Sequence, residues 1–343
     1  MSGPWQVLWA FLPSLLSSKE AAMPDHGGNL DVALARFGGR TEDWIDLSTG
    51  INRCPYPVGE LPPHRWRALP SRADIESLHD AARHAYAASC QVLAVGGAQA
   101  AIQLLPRLAQ PARARILAPT YSEYAPLLGA GGRQVDEVTE LDALAGADLA
   151  VVINPNNPNG LSHDPAKLLD LVSRVGRLVV DESFADAMPA LSLASQAGRA
   201  GLLILRSFGK FYGLAGLRLG FVLASKADVA SLAAMVGPWP ISGAAIEIGR
   251  RALLDRTWAE QARARLTGDS RRLDDLARGA GWKLVGGTPL FRLYETGNAN
   301  AAQARLARAH IWSRVFTGQP GWLRLGLPGD EAEWRRLVAA LAR

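Results

Sequence analysis

Short apolar runs, each closed by Gly, Pro, Asn or Asp, recur through the middle of the chain at 92–95, 115–118, 149–153, 178–180, 202–205 and 219–223. Most are followed by apolar residues at helical spacing, as at 98–108, 165–175 and 227–235. A continuous apolar run bounded by turn residues predicts a strand buried on both faces. Strands alternating with helices predict a mostly parallel sheet flanked by helices. Ligands bind such sheets at the carboxyl ends of the strands, so the residues after each run carry the candidate chemistry. The texture changes after Gly237-Pro238-Trp239-Pro240. Residues 241–279 read as an Ala- and Arg-rich helical stretch with one break, 282–285, 290–293 and 322–325 as strands, and 300–309 and 330–341 as helices. The expected fold class is α/β, with a smaller α+β domain near the C-terminus.

Composition narrows the function classes. At 343 residues, 48% hydrophobic and 20% charged, the chain is long and apolar enough for a large core, which excludes global disorder. Its 37 Lys and Arg against 32 Asp and Glu leave a charge of +5, but the cations are scattered, the densest clusters being pairs such as Arg250-Arg251 and Arg335-Arg336. No nucleic-acid partner is expected from that pattern. Cys54 and Cys90 form no C-x-x-C, and His64, His79, His84, His163 and His310 show no ligand spacing, so no metal site is expected. A chain of this size needs no disulfide, which makes the cytoplasm the expected compartment. The apolar start at 5–16 is interrupted by Pro13, is too short for a membrane span and follows no basic residue, so neither a membrane nor a secretory role is expected. Residues 1–25 are read as an extension of unclear role, with Met23 an alternative start of translation.

Five segments carry candidate chemistry. In Ser207-Phe208-Gly209-Lys210 an amine sits among Phe208, Phe211, Tyr212, Leu214 and Leu217, where desolvation favours its neutral, nucleophilic form; the alternative is a surface lysine in a loop. A phosphate loop is excluded, because Ile204 and Phe211 stand where that motif needs Gly and Ser or Thr. The run ending in Asp181-Glu182 aims a carboxylate at the ligand edge, where it suits a protonated ring nitrogen. Asn154-Pro155-Asn156-Asn157-Pro158-Asn159-Gly160 is a tight turn that also presents amides. Gly96-Gly97-Ala98-Gln99 opens a helix, whose N–H groups and dipole favour an anion. Pro119-Thr120-Tyr121-Ser122-Glu123-Tyr124 adds aromatics at the same edge.

In this order, and with the arginines that follow, the motifs resemble fold-type I pyridoxal-phosphate enzymes, the aspartate aminotransferase superfamily, from about His26 to the C-terminus. The resemblance implies pyridoxal 5′-phosphate as cofactor. It further implies that Lys210 forms the Schiff base, that Asp181 pairs with the pyridinium nitrogen, that Asn157 contacts the phenolic oxygen and that Tyr121 stacks on the ring. The phosphate would be held by the N–H groups around Gly97, Ala98 and Gln99, by Ser207 and by Arg218, and Arg324 would clamp a substrate carboxylate. Phe184 departs from the pattern, since a Tyr commonly stands three residues after the aspartate.

Within that superfamily, His26-Gly27-Gly28-Asn29-Leu30, Asp46-Leu47-Ser48-Thr49-Gly50-Ile51-Asn52, residues 119–124 and residues 322–329 resemble the threonine-phosphate decarboxylases of cobalamin biosynthesis, close relatives of histidinol-phosphate aminotransferases. The implied substrate is a small phosphorylated amino acid. Asn52 and His26 are expected near it, and Tyr56 at the cofactor phosphate of a second subunit, which implies a homodimer. Arg53, at the place after Ile51-Asn52 where the family typically has Pro, is expected to face solvent or to join the substrate-phosphate site, and Arg292 and Arg314 are expected nearby. The expected organisation is an arm at 26–55 joining the small domain, a large cofactor-binding domain at 56–237 and a small domain at 238–343. Two alternatives remain at this level. A histidinol-phosphate-type aminotransferase would use the same residues to break Cα–H. A non-catalytic regulator would carry a DNA-binding module ahead of the fold, and residues 1–25 show no helix-turn-helix pattern.

Overall fold

A computed structural model describes residues 27–109 and 113–342. The expected extension at 1–25 and the candidate residue His26 lie outside the described residues.

The apolar runs of the middle segment form one seven-stranded sheet. Across it the order is Gln91–Val95, Gly220–Ala224, Leu202–Ser207, Arg177–Asp181, Leu149–Ile153, Arg113–Leu117 and Gln134–Val138. Successive side chains on a strand point to opposite faces. Accordingly Ala150, Val152, Leu178, Val180, Leu202 and Ile204 join one apolar cluster, while Leu149, Val151, Ile153, Val179, Leu203 and Leu205 join another. Both faces are covered, which is why these strands read as unbroken apolar runs. Gly220–Ala224 is antiparallel to both neighbours and every other strand shares one direction. The ends at Val95, Leu117, Ile153, Asp181 and Ser207 therefore meet at one edge, and Gly220 enters the sheet there.

Helix Arg72–Ala85 starts at a capping box, in which Ser71 Oγ accepts from the Asp74 N–H and Asp74 accepts from the Ser71 N–H. Helix Gly243–Leu254 packs against it, on the sheet layer, although the sequence texture has already changed by then. Asp255 separates that helix from Arg256–Gly279 and caps the second one by accepting from the Trp258 N–H. This is the single break expected in 241–279.

Beyond it lies a four-stranded antiparallel sheet in the order Arg314–Phe316, Gln319–Gly326, Phe291–Glu295 and Lys283–Thr288. The N-terminal region adds to this part of the molecule. Ile45–Asp46 pairs in parallel with Ile311–Trp312, and Ala33, Trp44, Ala307 and Trp312 form a separate apolar cluster. From there the chain crosses to the large sheet: Leu47 accepts from the Gly326 N–H at 2.7 Å, and the Tyr56 N–H reaches the Tyr212 carbonyl at 2.9 Å. No helix among the described residues is long and apolar enough to cross a membrane.

Candidate active site

Two cavities open at the edge where the strands end. The first, about 220 Å³, is lined by Gly97, Ala98, Gln99, Tyr121, Asn157, Asp181, Ser207, Lys210 and Arg218, among others. The second, about 420 Å³, shares Tyr121, Asn157, Phe184 and Lys210 with it and adds Thr49, Gly50, Arg314, Phe316, Trp322 and Arg324. Lys210 sits on the boundary.

Lys210 belongs to a one-turn helix, Phe208–Phe211, that follows strand Leu202–Ser207. The turn is packed tightly: Phe208 stacks on Tyr212 at 4.3 Å between centroids, and Tyr212 stacks on Trp258 at 5.5 Å. Burial, and next the positive charge of Arg324, bring the Lys210 amine down to about 8, with Asp181 opposing. Its Nζ lies 5.7 Å from the centroid of the Phe184 ring. Phe184 in turn packs edge-on against Phe291 at 5.0 Å, so the position presents a ring and no hydroxyl.

Asp181 ends a buried strand, and its carboxylate is held by three donors. Ser183 gives its N–H at 2.9 Å and its hydroxyl at 2.5 Å to Oδ1, and the Tyr124 hydroxyl gives 2.7 Å to Oδ2. Tyr124 is fully buried, and burial followed by the Asp181 charge raises its pKa far above the ordinary phenol value, so it remains a donor. Tyr121, three residues earlier and partly buried, lines the cavity, and desolvation pushes its phenol up to about 12. The order of motifs pointed to Tyr121 and Asp181 but missed Tyr124 and Ser183.

A cradle lies at the start of helix Ala98–Ala109. Gly97 has φ +83°, and a Cβ there would lie 2.8 Å from Arg218 Nη2, so the guanidinium closes over a position that only glycine leaves open. Arg218 itself takes a left-handed backbone, φ 53°, a conformation costly for a non-glycine residue and concentrated at functional sites. With Ser207 beside them, the first N–H groups of the helix and this guanidinium make a site suited to a phosphate.

In the second cavity, Arg324 is buried between aromatic rings, its guanidinium carbon 5.1 Å from the Phe291 centroid and 5.7 Å from that of Phe316. Nη1 donates to Asn157 Oδ1 and Nη2 to the Ser48 carbonyl at 2.8 Å, while the buried Nε has no acceptor. Burial first, then the charge of Arg314, lower its pKa to about 9, which still leaves it cationic at neutral pH.

A family model, described as aminotransferase class I and II, matches residues 69–341. The chain belongs to the aminotransferase class I and II family. Among relatives in this family, a threonine-phosphate decarboxylase of Sinorhizobium sp. is 47% identical over 326 residues, covering 93% of this chain and 97% of that protein. One from Pseudomonas aeruginosa is 43% identical with the same coverage. Of solved structures, a Sinorhizobium meliloti histidinol-phosphate aminotransferase in complex with pyridoxal-5′-phosphate superposes with TM-score 0.78 at 17% identity, covering 95% of this chain and 97% of that one, a likeness of fold.

The residues of this aminotransferase-family site fit pyridoxal 5′-phosphate. The amine of lowered pKa suits an aldehyde, the triply hydrogen-bonded Asp181 suits a protonated ring nitrogen, and the Gly97–Arg218 cradle, which a Cβ would fill, suits a phosphate.

Not every expected residue comes to these cavities. Tyr56, whose expected place is the cofactor phosphate of a second subunit and not a cavity of its own chain, stands edge-on to Tyr212 and Trp258. Asn52 lines neither cavity, and its side chain faces the back of the Lys210 turn. Arg53 neither faces open solvent nor joins the site, because it forms a double hydrogen bond with Glu333. Arg292 is likewise engaged, by both oxygens of Asp274 at 2.9 and 2.7 Å. Arg314 does line the second cavity.

Proposed function

We propose that the chain decarboxylates L-threonine O-3-phosphate to (R)-1-amino-2-propanol O-2-phosphate and CO₂, the step that supplies the aminopropanol linker in cobalamin biosynthesis. One observation carries the reading: the second cavity is lined by Lys210, Arg314 and Arg324, and among the described residues that line it none is Asp or Glu. Such a cavity favours a small substrate with two anionic groups, a carboxylate and a phosphate. The names of the relatives at 47% and 43% identity agree with it.

When bound, the cofactor supplies an electrophile for the substrate amine and a ring that takes up the electron pair left by the carboxylate. Lys210 would hold the cofactor through its amine, and its Nζ would hold or give a proton beside the substrate Cα. Asp181, fixed by Tyr124 and Ser183, holds the ring nitrogen in its protonated form. Asn157 would meet the ring oxygen and Tyr121 would cover the ring, both lining the first cavity. Gly97, Ala98 and Gln99 through their N–H groups, with Ser207 and Arg218, grip the cofactor phosphate. Arg324 receives the substrate carboxylate, which provides an acceptor for its unpartnered Nε, and Arg314 adds charge for the substrate phosphate. Phe316 and Trp322 line the same cavity and limit water there.

The same residues serve a histidinol-phosphate-type aminotransferase, so the product decides. Incubated with threonine phosphate and no 2-oxoglutarate, the protein is expected to release CO₂ and form aminopropanol phosphate. Formation of glutamate from a phosphorylated amine and 2-oxoglutarate, with no CO₂, refutes the decarboxylase.

The reading extends to a cytoplasmic homodimer with a large cofactor-binding unit at 56–237, onto which helix Gly243–Leu254 also packs, and a small unit in the rest of 238–343 joined by the arm at 26–55. Both cysteines are free, as a reducing compartment requires. Trp66, Leu69 and Trp239 are 68%, 67% and 53% exposed, large apolar groups that a second copy would cover. Light scattering is expected to give a mass near twice 36.6 kDa; a monomer at micromolar concentration contradicts it.

A further inference from the structure

Ser48 and Asn52, on the segment that crosses between the sheets, touch Arg324 and Lys210 without lining either cavity, while Thr49 and Gly50 between them line the second. Ser48 accepts from Arg324 Nη2 at 2.8 Å, and four residues later the Asn52 N–H donates to the Lys210 carbonyl at 2.9 Å. The Asn52 side chain is only 3% exposed. Its Nδ2 donates to the Phe211 carbonyl at 2.9 Å. Its Oδ1 accepts twice, from the Cys54 N–H at 3.0 Å and from Arg265 Nη2 at 2.6 Å. Two donors at Oδ1 define the amide's orientation, which leaves Nδ2 to face the carbonyl.

Lys210 and Phe211 are the last residues of the one-turn helix. The carbonyls at a helix end have no intrahelical partner and must find one elsewhere. Asn52 supplies donors to both, the one at Lys210 shared with the Gly213 N–H at 3.3 Å. The close approach depends on Gly213, whose φ is +69° and where a Cβ would fall 2.4 Å from the Asn52 carbonyl oxygen and 2.8 Å from Pro55 Cα. Arg265 lies on helix Arg256–Gly279 and is steadied by Asp269 at 2.9 Å.

We propose that Asn52, oriented by Arg265, is a positioning residue that aims the Lys210 amine by holding the main-chain carbonyls of Lys210 and Phe211, and that it does not contact substrate. A lysine side chain has four rotatable bonds, so rocking of the turn at its root displaces Nζ, and a displacement of ~1 Å at a reacting group costs ~100-fold in rate. The proposal rests on the reading of Lys210 as the reacting amine. It replaces the substrate contact expected of Asn52 from sequence.

The test compares Asn52→Ala and Arg265→Met with the unaltered holoenzyme. Two quantities are read: kcat and KM for threonine phosphate, and the pH midpoint of the cofactor's visible absorption without substrate. For Asn52→Ala, kcat is expected to fall ~10- to 100-fold with KM within about twofold, and the absorption midpoint to move by roughly half a unit or more. Arg265→Met, which leaves Asn52 in place but frees its amide, is expected to move both in the same direction by less. A raised KM with unchanged kcat and midpoint would make Asn52 a substrate ligand and overturn the proposal. Unchanged values in both variants overturn it as well. If Asn52→Ala does not fold, Arg265→Met decides alone. The absorption needs no substrate, so this readout stands even if threonine phosphate is not the substrate.

Discussion

Lys210→Ala is expected to lower CO₂ release from threonine phosphate by more than about a thousandfold, to the detection limit of the assay. The effect is large because no neighbour can replace the amine. Its surroundings are Phe184, the cations Arg324 and Arg218, and the acceptor Asp181, none of which is a nucleophile that condenses with an aldehyde. Burial and Arg324 also make this lysine half neutral near pH 8, a tuning that an exposed lysine would lack. Lys210→Arg keeps the positive charge but stays protonated at any working pH. It is expected to be as inactive as the alanine variant, which separates loss of the nucleophile from loss of charge. Turnover within tenfold of the unaltered protein in either variant would refute the assignment of Lys210.

Asp181→Ala is expected to be the second most damaging change. Removing one member of a buried charge pair costs about 3–5 kcal/mol, which corresponds to roughly two to four orders of magnitude in rate. Asp181→Asn preserves the shape, yet it cannot carry the charge that keeps a ring nitrogen protonated, so it should fall in the same range. Tyr124→Phe removes only one of the three donors that hold the carboxylate. A hydrogen bond to a charged group contributes about 1.5–3 kcal/mol, so a loss of roughly 10- to 100-fold is expected. The informative measurement is kcat/KM for all three variants side by side. An asparagine variant with the unaltered rate would show that Asp181 is not the partner of a cationic nitrogen.

The strands that carry these residues were legible because they are buried on both faces, which leaves no polar position to interrupt the run. Strand Gln134–Val138 was not, since it lies at the sheet edge and carries Asp136 and Glu137. The residues after each run were legible as a group because every strand but one ends at the same edge. The partnership between Tyr124 and Asp181 was not. It depends on Arg113–Leu117 and Leu149–Ile153 lying side by side next to Arg177–Asp181, and strand order is not written in the spacing of motifs. Asn52 illustrates a different limit. Sequence brings the segment to the site, but whether its side chain enters the cavity or grips the turn behind it depends on a close backbone approach at Gly213, far from Asn52 in sequence.

The reversed strand Gly220–Ala224 bears on the order in which the site can be completed as the chain is made. Because Gly220 re-enters the sheet opposite Ser207, the intervening segment starts and ends at the same edge, and Ser207, Lys210 and Arg218 are delivered by one short excursion with both stems hydrogen-bonded. Gly97 and Asp181 are already synthesised by then. The cofactor half of the site is thus encoded in full by the time Ala224 emerges. Arg324 lies roughly a hundred residues further on, on a strand whose neighbours also come from the chain's last quarter. Topology alone thus separates the two halves in time: the part that would hold the cofactor can close on the nascent chain, while the part that would recognise the substrate waits for synthesis to finish.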